Sequence, residues 1–203
     1  MKILITGAAG QIGSGLSKLL IENGHDLTLV DNLRNGYLEN LKDDANEVIA
    51  PFYEVDITSG EFFLQCGDQY DVIIHLAAIT SLPDCESNPL ETLRINVSGT
   101  ANVLEFAREF DVPHVIFAST SAIYENNDTE VFTEDLEVNP RLYYSLSKKM
   151  SEDLIESYRE NYGMTVTILR FFNVFGLMET RQDRIHLYLI LHIENYHMID
   201  RQY

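Results

Sequence analysis

Short apolar runs alternate with longer segments of mixed character along most of the chain. Apolar residues are continuous from Ile3 to Ile5 and again from Val72 to Ile74, a pattern typical of strands that are buried on both faces. The same pattern predicts six strands in all, at residues 3–5, 27–30, 48–55, 72–75, 115–118 and 166–170.

The segments between these strands carry apolar residues at helical spacing. The first predicted helix runs through Leu16, Leu19 and Leu20, and the polar stretch 32–46 is predicted to be a loop with a short helix. Strands that alternate with helices predict an α/β fold, with a parallel sheet covered by helices on both faces. Further helices are predicted at residues 61–65, 90–110 and 143–162, the last ended by Gly163.

Ligands of such a sheet bind beyond the carboxyl ends of its strands. The residues at these positions should therefore be chemically distinctive, and several of them are small, acidic or hydroxyl-bearing. They are Gly7, Asp31, Asp56, Ala77-Ala78, Thr120 and Phe172-Asn173.

The first of these ends opens a glycine-rich turn, Thr6-Gly7-Ala8-Ala9-Gly10-Gln11-Ile12-Gly13. A strand followed by such a turn and a helix is suited to a pyrophosphate, because the helix start offers free N–H groups and glycines let the ligand approach the backbone. The spacing is G-x-x-G-x-x-G, a variant of the usual fingerprint. A turn of this kind can also be a matter of geometry alone.

Asp31 stands about twenty residues after the turn, where an acid can hydrogen-bond the ribose hydroxyls of a dinucleotide. A carboxylate there repels a 2′-phosphate, so NAD is favoured over NADP, although the nearby Arg34 weakens that preference. Asp56 is predicted at the adenine edge. Both acids can alternatively be simple residues of a strand end.

The charge and cysteine content of the chain narrow the classes of partner that it is expected to bind. The chain has 203 residues with 14 Lys and Arg against 32 Asp and Glu, a net charge of −18, which disfavours nucleic acid. Cys66 and Cys85 show neither metal spacing nor a disulfide framework, and no signal peptide or membrane-length apolar run is visible. The expectation is a soluble cytoplasmic protein without a metal or a membrane partner.

Tyr144 and Lys148 are four residues apart on a predicted helix and therefore share one face of it. A phenol with an ordinary pKa of about 10 is a poor base at neutral pH. A neighbouring ammonium favours the phenolate and is expected to lower that pKa. A hydroxyl of the run Ser119-Thr120-Ser121, which ends the fifth strand, can bind the substrate oxygen that Tyr144 deprotonates.

Taken together, these features resemble the extended short-chain dehydrogenase/reductase family, the NAD-dependent sugar epimerases and dehydratases. The matching motifs appear in the family's order and cover residues 1 to about 176. They are Gly7 to Gly13, Val30-Asp31-Asn32-Leu33-Arg34-Asn35-Gly36, Asp56-Ile57, His75-Leu76-Ala77-Ala78, Asn96-Val97-Ser98-Gly99-Thr100, Ser119-Thr120-Ser121-Ala122-Ile123-Tyr124, Tyr144-Ser145-Leu146-Ser147-Lys148 and Leu169-Arg170-Phe171-Phe172-Asn173-Val174-Phe175-Gly176.

The resemblance implies a role for each matching residue. Tyr144 would be the base and acid, Lys148 would bind the nicotinamide ribose and tune Tyr144, and Thr120 would be the catalytic hydroxyl. Thr120, Tyr144 and Asn173 would contact the substrate. Asn96 would lie close to the cofactor, with a helix-packing amide as the alternative. The full set implied to bind NAD is Gly7, Gly10, Gln11, Ile12, Gly13, Asp31, Asn32, Asn35, Asp56, Ile57, Leu76, Ala77, Ala78, Asn96, Tyr144, Lys148 and Phe172.

The resemblance also narrows the reaction. Sugar 4,6-dehydratases carry Asp-Glu after the catalytic threonine, whereas this chain has Ser121-Ala122, which is similar to the UDP-hexose 4-epimerases. The implied function is NAD-dependent 4-epimerisation of a UDP-hexose. The alternatives are another nucleotide-sugar oxidoreductase of the family, or an NAD-binding module without turnover.

Two departures qualify this reading. Glu125 stands where the family usually has Gly, which leaves the shape of that loop open, and Leu177 replaces the usual Pro. Family members generally continue for over a hundred more residues, so the chain is expected to be a Rossmann-type doubly wound domain (1–176), truncated before most of the substrate domain, with an atypical stub (177–203).

The stub shows none of the family motifs expected at this point of the chain. It is expected to be either a short amphipathic helix over a sheet edge or the product of a disrupted reading frame, and its His186, His192, Glu194 and His197 are not expected to bind metal. The predicted helices near Leu90 and Tyr143 resemble those that pair in family homodimers. Their apolar faces can equally pack on the chain's own sheet.

Overall fold

The computed structural model describes residues 1–129 and 131–174, so the predicted stub lies outside the described residues. Six strands form one sheet in the order β3-β2-β1-β4-β5-β6, and every neighbouring pair is parallel. The strands are β1 (Lys2–Thr6), β2 (Asp26–Asp31), β3 (Phe52–Glu54), β4 (Val72–His75), β5 (His114–Thr120) and β6 (Thr165–Phe171).

The chain builds outward from β1 to β3 and then crosses back to start β4 on the other side of β1. Thr6 at the end of β1 pairs in register with Val30 of β2 and with His75 of β4. A reversal of strand order leaves a crevice at the carboxyl ends, where ligands of open α/β sheets bind. The predicted Rossmann-type, doubly wound parallel sheet is confirmed.

Helices cover both faces of the sheet because its strands are apolar on both faces. Leu4 packs into one buried cluster with Phe62 and Phe106, while Ile3 and Ile5 pack into the opposite one. The helices are α1 (Gln11–Glu22), α2 (Glu61–Cys66), α3 (Leu82–Ser87), α4 (Pro89–Leu93), α5 (Gly99–Glu109) and α6 (Tyr143–Tyr162), with 3₁₀ turns at Leu38–Leu41 and Ser121–Tyr124.

One predicted strand is shorter than expected. The prediction of residues 48–55 was wrong at its start, because β3 covers only Phe52–Glu54 and Val48 instead forms an isolated antiparallel bridge with Lys42. Pro51 has no N–H to donate to the sheet, although its carbonyl accepts the N–H of Leu29 at 2.8 Å.

One helix was not predicted. α3 begins after Ser81, whose hydroxyl accepts the N–H of Asp84, and has Pro83 in its first turn. This pairing of a Ser cap with an early Pro is a recognised start signal that the periodicity of such a short helix did not reveal.

The predicted helix over residues 90–110 is one helical path with a π-turn, Arg94–Ser98, between α4 and α5. The apolar side of α5, including Val103 and Phe106, packs on the sheet of its own chain. The homodimer stays a prediction. Within the described part of the chain, no helix has the length and apolar character needed to cross a membrane.

Candidate active site

A cleft of about 460 Å³ opens at the carboxyl ends of the strands, at the crevice between β1 and β4. All the residues predicted to bind cofactor or substrate line it, with the exception of Asn96. They are Gly7, Gly10, Gln11, Ile12, Gly13, Asp31, Asn32, Asn35, Asp56, Ile57, Leu76, Ala77, Ala78, Thr120, Tyr144, Lys148, Phe172 and Asn173.

The glycine turn forms one wall because its backbone passes too close to its neighbours for side chains. Gly7 has φ +73°, and a Cβ there would lie 2.6 Å from the backbone nitrogen of Ala77. A Cβ on Gly13 would lie 2.3 Å from the carbonyl oxygen of Gly7. Gly10 is the N-cap of α1 and no acid occupies the first turn, so the helix start presents its N–H groups without a competing side chain.

The last residue of β2, Asp31, and the segment that follows it hold the glycine turn in place. Asp31 accepts the N–H of Ala9 at 2.9 Å through Oδ2 and that of Leu33 at 2.9 Å through Oδ1. The carbonyl of Ala9 accepts the N–H of Tyr37 at 3.2 Å and the Nδ2 of Asn40 at 2.9 Å. Asp31 therefore both fastens the turn and lines the cleft.

The pKa values of the two strand-end acids, Asp31 and Asp56, shift in opposite directions. Burial raises the pKa of Asp31, and its backbone hydrogen bonds oppose that rise only in part. Burial also acts to raise the pKa of Asp56, but hydrogen bonds from the Thr58 side chain and backbone and the charge of Arg94 hold that pKa below its ordinary value.

Tyr144 lies at the second position of α6, and its side chain lines the cleft together with Thr120. The ring packs on a buried cluster of Ile79, Cys85 and Ile95. Burial raises the pKa of Tyr144, and the Thr120 side chain opposes that rise only in part. The lowering that was expected from Lys148 is not found in this arrangement.

The reason is the place of the Lys148 ammonium. Its side chain is 3% exposed, its Nζ donates to the carbonyl oxygen of Ala118 at 2.8 Å, and it lies 4.8 Å from the ring centre of Phe117. Burial lowers the pKa of Lys148 to about 8, partly countered by Glu152. The predicted helix face is confirmed, since both side chains line the cleft.

Asn96 differs from its predicted place, because it lies behind the cleft and not in it. It is 1% exposed, its Oδ1 accepts the N–H of Ile79 at 2.8 Å, and its Nδ2 donates to the Ile79 carbonyl and to Ser147 Oγ, each at 2.9 Å. The π-turn brings its own carbonyl to the hydroxyls of Thr100 and Ser151. Asn96 thus ties the loop after β4 to α6, the alternative that the sequence left open.

Two acids for which no role was predicted from the sequence, Glu125 and Glu86, hold the start of α6. Glu125 accepts the N–H groups of Arg141 and Leu142, the latter at 3.0 Å, and the hydroxyl of Ser145 at 2.9 Å. Glu86 accepts the N–H of Tyr143 at 2.9 Å. Glu125 has φ −51° and ψ −27°, so the position needs no glycine, and its carboxylate holds the segment that enters α6.

Replacing Glu125 by alanine is expected to lower the free energy of unfolding by about 0.5–1.5 kcal/mol, the typical net contribution of a hydrogen bond, because the segment entering α6 loses its acceptor. Denaturant unfolding measures this, with Glu137→Ala as the control because Glu137 is an exposed acid of the same loop. An equal loss in both variants would show that Glu125 has no special part in holding α6.

At the other side of the cleft, Arg170 fixes the end of β6. Its guanidinium donates to both carboxylate oxygens of the buried Glu152, at 3.1 and 2.8 Å, and to the Tyr124 hydroxyl at 2.7 Å. Glu152 is on α6, one turn beyond Lys148, so the ion pair joins α6 to the strand that leads to Phe172 and Asn173.

The comparisons with known proteins agree with this arrangement. The sequence model of the NAD dependent epimerase/dehydratase family matches residues 3–200. A putative UDP-glucose 4-epimerase of Methanocaldococcus jannaschii is 37% identical, over 89% of this chain and 57% of that protein. A UDP-N-acetyl-alpha-D-glucosaminuronate decarboxylase of Bacillus cytotoxicus is 34% identical, over 86% of this chain and 55% of that protein.

Among solved structures, the Thermus thermophilus UDP-glucose 4-epimerase in complex with NAD superposes with a TM-score of 0.79 at 30% identity. The match covers 94% of this chain and 61% of that structure. The chain therefore spans a little more than half the length of the relatives described here. Its sequence, fold and cleft agree on one assignment: it belongs to the NAD-dependent epimerase/dehydratase family.

Proposed function

We propose that the protein serves NAD-dependent 4-epimerisation of a UDP-hexose. The observation that carries the proposal is that a partly buried phenol, Tyr144, and the Thr120 hydroxyl line the same cleft as the glycine turn. A reversible alcohol oxidation needs a group that exchanges a proton with the hydroxyl and a bound dinucleotide that accepts hydride. A phenol beside a dinucleotide site meets both needs.

The residues present fit NAD. The glycine turn leaves a side-chain-free surface at the start of α1 for the pyrophosphate, and Asp31 presents a carboxylate where a ribose is expected. We assign Asn32, Asn35, Asp56 and Ile57 to the adenosine side, and Leu76, Ala77, Ala78, Lys148 and Phe172 to the remainder of the cofactor. Bound NAD supplies an acceptor that takes hydride from the substrate carbon and returns it.

Tyr144 would take the proton of the sugar 4-hydroxyl as the carbonyl forms. It would return the proton after the keto sugar has rotated to present its other face. Thr120 would hold the same oxygen, and Asn173 would contact the sugar. Lys148, anchored on the Ala118 carbonyl, carries its charge below a pH of about 8 and would favour the phenolate once Tyr144 loses its proton. The two half-reactions cancel, so the reaction has no net oxidation.

A second candidate is an NAD-binding module without turnover. It is favoured by the length of the chain, which covers 57% of the M. jannaschii relative and 61% of the Thermus structure. The decarboxylase among the relatives keeps a further nucleotide-sugar reaction of the same family open as a third.

Calorimetry with NAD, followed by NMR of the chain with UDP-glucose and UDP-galactose, separates these functions. Interconversion of the two sugars, with no added oxidant, is the expected result for an epimerase. NAD binding without any change in a panel of nucleotide sugars would instead support the module. A chain that does not bind NAD would contradict both.

A further inference from the structure

The mouth of the cleft on the adenosine side carries an ion-pair network that lies mostly outside the pocket. Arg34 lines the cleft beside Asp31, but its Nη1 donates to Oε1 of Glu91 at 2.7 Å. Arg94 donates to the same carboxylate through Nε at 2.7 Å and Nη2 at 3.0 Å. Glu91 is on α4 and does not line the cleft, so it reaches the pocket through Arg34 directly and through Arg94 by way of Asp56.

The network also reaches the third strand end. Arg94 Nη2 lies 3.4 Å from Oδ2 of Asp56, and its Nη1 donates to the hydroxyl of Thr58. Asp56 in turn accepts Asn32 Nδ2 at 3.3 Å. Two guanidinium groups are thus held by two carboxylates, those of Asp56 and Glu91, and the four charges balance.

A free arginine at this position would have a different effect. An arginine beside the adenosine ribose accommodates a 2′-phosphate, and a guanidinium binds phosphate through paired, charge-assisted hydrogen bonds. Arg34 has the residue type and the place for that task. What it lacks is a free guanidinium, because its Nη1 bond is made to Glu91.

We propose that Glu91 is a positioning residue for cofactor choice: it engages and neutralises Arg34, and thereby keeps the adenosine end of the cleft selective for NAD over NADP. This inference rests on the proposed cofactor site and extends it to a residue outside the cleft. Asp31 supplies direct repulsion of a 2′-phosphate, and Glu91 removes the attraction that Arg34 would otherwise exert.

The solvent exposure of Arg34 and Glu91 limits how much the loss of their ion pair can change the affinity for NADP. The side chains of Arg34 and Glu91 are 43% and 25% exposed, so solvent and salt screen their interaction. Glu91→Gln keeps the shape and one acceptor but removes the charge. We expect it to raise the affinity for NADP relative to NAD by about tenfold at low salt, and by less as the ionic strength increases.

The test is calorimetric titration of the whole chain with NAD and with NADP, at low and moderate salt. Glu109→Gln is the matched control, because Glu109 is exposed on α5 and loses the same charge. The double variant Glu91→Gln with Arg34→Gln should return the NADP-to-NAD ratio to the wild-type value. A purely structural role of Glu91 would weaken both dinucleotides together and leave the ratio unchanged.

The outcomes separate this inference from the function it rests on. A ratio that rises in Glu91→Gln, stays constant in Glu109→Gln and returns in the double variant supports the inference. NAD binding with an unchanged ratio in Glu91→Gln overturns it and leaves the proposed function intact. A wild-type chain that binds neither dinucleotide overturns the proposed function and this inference with it.

Discussion

Replacing Tyr144 by phenylalanine is expected to slow the interconversion of UDP-glucose and UDP-galactose by about 10²–10⁴-fold, the range that a positioned general base contributes. The ring would stay packed on Ile79, Cys85 and Ile95, so the fold and the dinucleotide site should persist. Only the phenol oxygen is removed. NMR of the two sugars measures the rate, and calorimetry shows whether NAD binding is retained.

The neighbouring residue provides the control. Tyr143 is 36% exposed, does not line the cleft, and meets Glu86 through its backbone N–H, which a change to phenylalanine leaves in place. Tyr143→Phe should therefore keep wild-type turnover. A Tyr144→Phe variant within tenfold of wild type would remove Tyr144 from the proposed mechanism.

Gly13→Ala is expected to damage stability and cofactor binding together. The new methyl would lie 2.3 Å from the Gly7 carbonyl oxygen and 2.7 Å from Ala8 Cα, and both atoms are backbone that cannot rotate away. Overpacking of this kind lowers the free energy of unfolding by about 1–3 kcal/mol. Since the helix must move away from the turn, we also expect the Kd for NAD to rise by about tenfold or more, which corresponds to 1.4 kcal/mol.

Gly60→Ala is the matched substitution, because a Cβ at Gly60 meets nothing within 4 Å and its φ is −61°. Alanine there should be neutral or slightly stabilising, since it restricts the unfolded chain. Denaturant unfolding and NAD titration of the two variants test the prediction. Equal behaviour would mean that the close approach of α1 to the glycine turn is not required.

Much of the fold could be predicted from the sequence because the strongest signals are local. Continuous apolar runs predicted a sheet buried on both faces, and β4 and α6 have the predicted bounds, with Gly163 at φ +66° ending the helix. The residues at the carboxyl ends of the strands were predicted to converge, and the parallel order of the sheet brings them to one cleft.

What the sequence did not reveal depends on partners that are distant along the chain. Glu125 accepts the N–H of Leu142, 17 residues later, and Glu86 accepts that of Tyr143, 57 residues later. The raised pKa of Tyr144 depends on how deeply the ring is buried, which no spacing encodes. Asn96 lies in a family motif, but only the π-turn shows that its amide and carbonyl face inward.

The glycine turn is ordered by hydrogen bonds from within the chain itself. Both backbone polar groups of Ala9 are already engaged, by Asp31 on one side and by Tyr37 and Asn40 on the other. The entropy of ordering this loop is therefore spent during folding and does not subtract from binding. Asn40 does not line the cleft, but a substitution there would make the turn less rigid and so weaken the binding of the dinucleotide.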